Sequence, residues 1–179
     1  MADAPELDVE LALGCLTAHG VDYVVVGGIA AVLWGSPRNT FDLDVCPADD
    51  RGNLEALGKA LIDLEARLRG VEEDVPFTPN AQALAKMEII TLTTRAGPLD
   101  VIVRPAGISV GLSAYDRLRK NSTRVDLGAF SVRVASVADL ISMKRSAGRP
   151  KDELDIEELE AIERLRRRRN ARPKRSPPA

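Results

Sequence analysis

Aromatic residues are scarce, at 3% of 179 positions, with one Trp, two Tyr and three Phe. So thin a supply rules out the interleaved aromatic and basic surface on which single-stranded nucleic acid stacks, and any recognition of nucleic acid must rest on charge. Cysteine is equally sparse. Cys15 and Cys46 are too few for a disulfide framework or a structural zinc site, and they fit a reducing cytoplasm. His19 is the sole histidine, which excludes a histidine-based catalytic triad or a histidine-rich zinc site; its place before Gly20 reads as a helix end. No apolar run approaches the ~18–20 residues of a membrane span. The acidic opening MADAPELDVELA lacks the positive n-region of a signal peptide, so a cytoplasmic protein without membrane attachment is expected.

The length suffices for one domain with a substantial core. The net charge of −2 conceals an asymmetry. Of the 25 Lys and Arg residues, 8 fall in Arg164–Arg175, leaving 17 against all 27 Asp and Glu, a net of −10 for the body. A basic end on an acidic body predicts either a polyanion-binding tail or a solvated, flexible one, and terminal Arg-Lys-Pro runs are more often the latter.

Apolar spacing predicts a helix over Glu6–His19, stopped by Gly20, then a buried strand over Asp22–Val26. A short helix follows Gly28, Ser36-Pro37 breaks it, and Thr40–Val45 alternates as a strand. Asp50–Arg69 carries Leu54, Leu57, Leu61, Leu64 and Leu68 on one helical face, and the acidic, proline-containing Gly70–Asn80 reads as a loop. Met87–Thr94 and Leu99–Val103 are expected to form a hairpin with Gly97-Pro98 in its turn. Ser113–Lys120 reads as a helix, and Arg124–Leu127 with Phe130–Val134 as a second hairpin. Ser136 caps a helix over Val137–Ala147, Gly148 ends it, and Pro150 opens a last helix from Lys151 to about Arg168. The hairpins exclude a purely parallel sheet, so the expected fold class is α+β, a mixed sheet with packed helices.

The chemistry concentrates in VVVGGIAAVLWGSPRNTFDLDV, residues 24–45. Asp42 and Asp44 are two apart on a predicted strand, so both carboxylates face one side, a costly arrangement without a cation between them. Gly27-Gly28 sits at a strand-to-helix turn, where the backbone can approach a phosphate closely. Alone, a glycine pair or an Asp-x-Asp is a weak sign; thirteen residues, Ile29–Phe41, separate them here in a strand–turn–helix–strand order that brings them together. Asp100, inside the apolar run Leu99–Ile102, either faces water from an edge strand or supplies a third carboxylate to the same cation. Three carboxylates around magnesium suit phosphoryl chemistry, because a hard cation takes oxygen ligands and bridges phosphates. Trp34 lies in an apolar segment and reads as core.

Gly27-Gly28, the gap, Asp42-Leu43-Asp44 and Asp100 together resemble the DNA polymerase beta-like nucleotidyltransferase superfamily. The segment DLISMKRSAGRPKDELDIEEL, from Asp139, is similar to the closing motif of small bacterial AbiEii-type nucleotidyltransferases, many of them in toxin–antitoxin pairs. The resemblance spans roughly Asp22–Leu159. It implies a nucleotidyltransferase domain over residues 1–163, with 164–179 as the basic, flexible tail. It also implies triphosphate binding by Gly27 and Gly28, and Mg2+ (or Mn2+) held by Asp42, Asp44 and Asp100, with Asp100 also aiding deprotonation of the attacking hydroxyl. Lys144 would bind the nucleotide or steady its charge, Asp152 and Asp155 match further acidic positions of the motif, and Arg38 is placed to reach a phosphate. Each has a plainer reading beside this one: Lys144 as a helix-end cation, Asp152 and Asp155 as first-turn acids, Arg38 as a solvated loop residue. Relatives often carry serine where this chain has Gly28, which removes one hydroxyl contact to the triphosphate. The implied reaction moves a nucleoside monophosphate from an NTP to an acceptor hydroxyl. The acceptor would be RNA, such as a tRNA 3′ end, in a toxin-type component with a cognate antitoxin, or else a protein or a small molecule. The alternative class is a non-catalytic or antitoxin-like module that binds a nucleotide or partner.

Overall fold

The computed structural model describes residues 5–71, 77–108, 113–150 and 152–171. Helix α1 (Val9–Ala18) is capped by Asp8, whose carboxylate accepts from the Leu11 amide at 2.9 Å. Strand β1 (Tyr23–Val26) passes directly into α2 (Gly27–Leu33), and β2 (Leu43–Pro47) returns antiparallel to β1. Then come α3 (Arg51–Asp63), the two-residue β3 (Arg67–Leu68), α4 (Ala81–Lys86) and the hairpin of β4 (Ile89–Thr94) and β5 (Gly97–Ile102). Helix α5 (Ala114–Asn121), the hairpin of β6 (Thr123–Asp126) and β7 (Ser131–Val134), α6 (Val137–Ala147) and α7 (Asp152–Ala171) complete the chain.

One mixed sheet results, in the order β3-β4-β5-β2-β1-β7-β6, with β2–β5 and β1–β7 parallel and the remaining pairs antiparallel. This is the α+β class expected, and its order explains the buried centre. β1 and β2 lie inside the sheet, so Val24, Val25, Val26, Leu43 and Val45 have no exposed surface. Strand alternation separates two faces. Leu43 and Val45 share a side with Tyr23, whose hydroxyl donates to Leu13 O in α1, so α1 and the adjacent α3 cover that face. Asp44 points to the other face, toward α2, α6 and α7.

Three local expectations are corrected. The helix expected to reach Arg69 ends at Asp63, because Leu64 caps it and Glu65 takes a left-handed φ of 53°. The amides of Glu65 and Ala66 turn back to Ile62 O and Leu61 O, closing the end in the manner of a Schellman motif. Leu68 still packs against the core, but from an edge strand paired with Leu92, so leucine spacing alone did not distinguish the two. In the first hairpin the turn is Arg95-Ala96; Gly97 and Pro98 belong to β5, opposite Thr94 and Thr93. Pro98 is tolerated there because pairing with β2 begins only at Leu99, at the strand's start. Helix α4 was not expected; Asn80 caps it, its side chain accepting from the Ala83 amide at 2.9 Å. Part of the expected loop, 72–76, lies outside the described residues, as do 172–179 of the basic tail; residues 164–171 of that tail form the last turns of α7. No described helix is long and apolar enough to cross a membrane.

Candidate active site

The site begins where β1 meets α2. Register places Val26 opposite Asp44 and, on the other side, Asp44 beside Asp100 of β5, so two carboxylates from parallel neighbours occupy one face. Gly27 has φ +62°, and a Cβ there would run into the Asp44 carboxylate; a Cβ on Gly28 would meet the Thr40 hydroxyl. Both glycines are thus demanded by the site's own side chains, before any phosphate is considered. Thr40 Oγ1 in turn donates to Asp42 Oδ1 at 3.1 Å, which orients the carboxylate just before β2. Gly28→Ala is therefore expected to lose about 1–3 kcal/mol of stability through overpacking against Thr40, as read from urea unfolding midpoints. An unchanged midpoint would show that Thr40 moves aside freely.

The electrostatics follow from burial. Asp44 is pushed up to about 7, first by burial and then by the nearby Asp42 and Asp100 charges, against a hydrogen bond from the Gly28 amide and the more distant charge of Lys144. Asp100 is also raised by burial, with Arg69 opposing the shift and Asp42 adding to it. Arg69 Nη2 lies 2.6 Å from Asp100 Oδ1. Asp44 has no such cation within ion-pair distance among the described residues. Its donor set and that of its neighbours are all carboxylate oxygens, so Asp42, Asp44 and Asp100 suit a hard divalent cation that would relieve the repulsion. Thr40 and Arg69 each occupy one oxygen, Oδ1 of Asp42 and Oδ1 of Asp100.

Opposite them, the α6–α7 corner supplies cations. Ser136 caps α6, accepting from the Asp139 amide at 3.1 Å, and Gly148 turns the chain with φ +61° into α7. Lys144 Nζ then lies 2.5 Å from Asp155 Oδ2 and 3.4 Å from Asp152 Oδ1. Arg149 Nε donates to Asp152 Oδ2 at 2.7 Å, and Arg38 pairs with Asp155. Burial would raise the Asp152 carboxyl, but the Arg149 hydrogen bond and the Lys144 charge outweigh it and hold the group below its ordinary value. Lys144 is lowered by burial, partly offset by Asp152. Arg38 is thus an ion-pair partner rather than a free loop residue, and Asp152 is 1% exposed rather than a solvated first-turn acid.

One cavity of about 520 Å³ brings together Gly27, Gly28, Arg38, Asp42, Asp44, Asp100, Lys144 and Asp152, with Thr40, Arg149 and Asp155 also in its wall; Arg69 lies outside it. Its apolar wall includes Ile102 and Met143, and Phe41 and Ile89 stand at its edge, 76% and 56% exposed. Sequence reasoning missed Arg69, Thr40 and, on the α6–α7 corner, Arg149. The first was assigned to a helix that stops short of it; the second contacts Gly28 only because the α2–β2 loop folds over the glycine turn, and no pattern in the sequence signals that. Trp34, read as core, is held by a 2.7 Å bond from Nε1 to Ala135 O, with the Arg166 guanidinium 3.8 Å above its ring.

The family model described as "Nucleotidyltransferase of unknown function" (DUF6036) matches residues 6–167. No curated protein matches by sequence. Among solved structures, the chain is similar to the lincosamide antibiotic adenylyltransferase LnuA in its lincomycin-bound form, with TM-score 0.57 and 15% identity over 88% of this chain and 99% of that one. It is also similar to the antibiotic-resistance factor ANT(2'')-Ia, with TM-score 0.50 and 15% identity over 91% of each chain. A third likeness is to an antigenic nucleotidyltransferase-like protein from Paracoccidioides brasiliensis, with TM-score 0.52 and 19% identity over 90% of this chain and 79% of that one.

Proposed function

Because the chain belongs to this family of nucleotidyltransferases and so transfers nucleotidyl groups, we propose that it moves a nucleoside monophosphate from an NTP to an acceptor hydroxyl, with Mg2+ or Mn2+ held by Asp42, Asp44 and Asp100. The observation that carries this reading is Asp44: a half-buried carboxylate pushed up to about 7 beside two others, with no cation within ion-pair distance among the described residues. Asp42, Asp44 and Asp100 would hold the divalent cation, whose charge would acidify the acceptor hydroxyl and neutralise the departing pyrophosphate. The acceptor oxygen forms a bond to the α-phosphorus as the bond to the β-phosphate bridging oxygen breaks. Asp100, raised by burial, takes up the hydroxyl proton. Gly27 and Gly28 set the turn beside the triphosphate, while Arg38, Lys144 and Arg149 give the cavity a positive side for its phosphates; Asp152 positions Lys144 and Arg149.

A small-molecule hydroxyl is the acceptor that the site favours. The cavity has a volume typical of small-ligand pockets and an apolar wall, and two structural neighbours are named for antibiotics. The RNA 3′-end reading rests on the resemblance, with support from the basic tail, in which Arg164 and Arg167 form exposed pairs with Glu160 and Glu163 and Arg166 covers Trp34. Arg164, Arg167, Arg168 and Arg169 are all exposed, so the described part of the tail keeps a cationic surface, and RNA stays an arm of the test. A toxin-type role with a cognate partner protein rests on the likeness of residues 139–159 to AbiEii-type proteins alone.

The test is incubation of the purified protein with each α-labelled NTP, Mg2+ and, separately, a metabolite extract, total RNA and cell protein. Label entering small molecules with pyrophosphate release supports the reading in full. Label on RNA or protein keeps the chemistry and overturns the acceptor. No Mg2+-dependent label from any NTP would overturn the catalytic reading in favour of a binding module.

A further inference from the structure

On the face of the sheet away from the carboxylates, three different metal-binding side chains meet between the C-terminal ends of α1 and α3. Cys15 and His19 are four residues apart, one helical turn, so they point to the same side. Asp63 is the last residue of α3. Its Oδ2 lies 3.4 Å from Cys15 Sγ and 3.2 Å from His19 Nε2, and the three ligand atoms all fall within 4.8 Å of one another. Among the described residues no other trio of His, Cys, Asp or Glu is gathered so closely. Tetrahedral zinc, with bonds of about 2.0 Å to nitrogen and oxygen and about 2.3 Å to sulfur, sets edges of about 3.3 Å between N and O and about 3.5 Å between S and O. The observed separations are already close to those edges.

We infer that Cys15, His19 and Asp63 bind one Zn2+, separate from the metal of the reaction, and that this ion fastens α1 to α3. A thiol and an imidazole select zinc over magnesium, whose preference is for oxygen alone. Cys15 coordinates as the thiolate, its proton passing to solvent. Arg95 lies alongside: its Nε donates to the Asp63 backbone carbonyl at 2.9 Å and its Nη2 stands 3.9 Å from Oδ1, while Oδ2 faces the other two ligands. Exposure rises from Cys15 at 9% through the His19 side chain at 30% to that of Asp63 at 55%, so the fourth position opens to water. A zinc framework of the usual cysteine-rich kind is absent from this sequence; one cysteine, the single histidine and one aspartate nevertheless assemble through the pairing of two helices.

The probe is Zn2+ itself, with Co2+ as its spectroscopic substitute, on the full chain stripped of metal. One equivalent is expected to bind, to raise the melting temperature reversibly with chelator, and to give a cobalt–thiolate charge-transfer band in the near ultraviolet. That band should vanish in Cys15→Ser and persist in Cys46→Ser and Asp44→Asn, which separates it from the carboxylate site. Because Cys15 packs in the core, His19→Ala provides a second variant at a half-exposed helix end, expected to weaken zinc binding at least about tenfold. Absence of the band, its survival in Cys15→Ser, its loss in Cys46→Ser, or unchanged affinity in His19→Ala would overturn the inference. None of these readouts depends on nucleotidyl transfer.

Discussion

Asp44→Asn is expected to reduce nucleotidyl transfer at least about a hundredfold while leaving the metal-free protein at pH 8 more stable than the unaltered chain. The two effects have one cause. Asp44 is pushed from an ordinary value of 3.8 up to about 7, chiefly by burial and then by Asp42 and Asp100. Its folded pKa lies above its unfolded one, so the folded chain retains a proton that the unfolded chain has released. The stabilisation is present in full below about pH 4 and is lost as pH rises through about 7. The shift corresponds to at most on the order of 4 kcal/mol. Metal-free protein should therefore lose melting temperature between pH 5 and pH 8, and Mg2+ should restore it by binding the folded state alone. In Asp44→Asn both the slope and the Mg2+ response should shrink together. A variant that kept the full pH slope would remove Asp44 from the metal site and leave the carboxylate cluster without its central member.

That prediction draws on the part of the site most legible in the sequence. Glycine pairs at strand-to-helix turns are local patterns whose geometry follows from the backbone; the Asp-x-Asp pair was legible as well, but the strand expected over Thr40–Val45 begins only at Leu43, which leaves Asp42 just before it. The register Asp44 beside Asp100 needed only that two predicted strands be neighbours, and the mixed sheet provides this. Capped helices were similarly legible: Ser136 and Gly148 act where hydrogen-bonding chemistry puts them. What could not be read was set by tertiary pairing. Leu61, Leu64 and Leu68 keep a helical spacing, yet Glu65 reverses the chain and sends Arg69 to Asp100. Gly28 looked like a lost phosphate contact; its missing Cβ is the space that Thr40 occupies. Cys15, His19 and Asp63 looked unrelated because two of them share a helix and the third lies 44 residues further along the chain from His19.

Lys144 presents the harder case, because it is both buried structure and a cation of the cavity wall. Lys144→Met should destabilise the fold by about 3–5 kcal/mol, since it leaves Asp152 and Asp155 with only Arg149 and Arg38 as partners in a site where their carboxylates are little exposed. Loss of activity in that variant alone would say nothing about nucleotide binding. The double variant Lys144→Met, Asp155→Asn separates the roles, because it removes one buried negative charge along with the positive one. If Lys144 steadies the triphosphate, the double variant should recover most of the lost stability in urea titrations and still show a raised KM for NTP. If Lys144 serves only to neutralise the acids of α7, stability and KM should recover together. Arginine is no substitute in either role: its planar fork is larger than the ammonium that fits between Asp152 and Asp155. Lys144→Arg should therefore resemble the single methionine variant more closely than the unaltered chain.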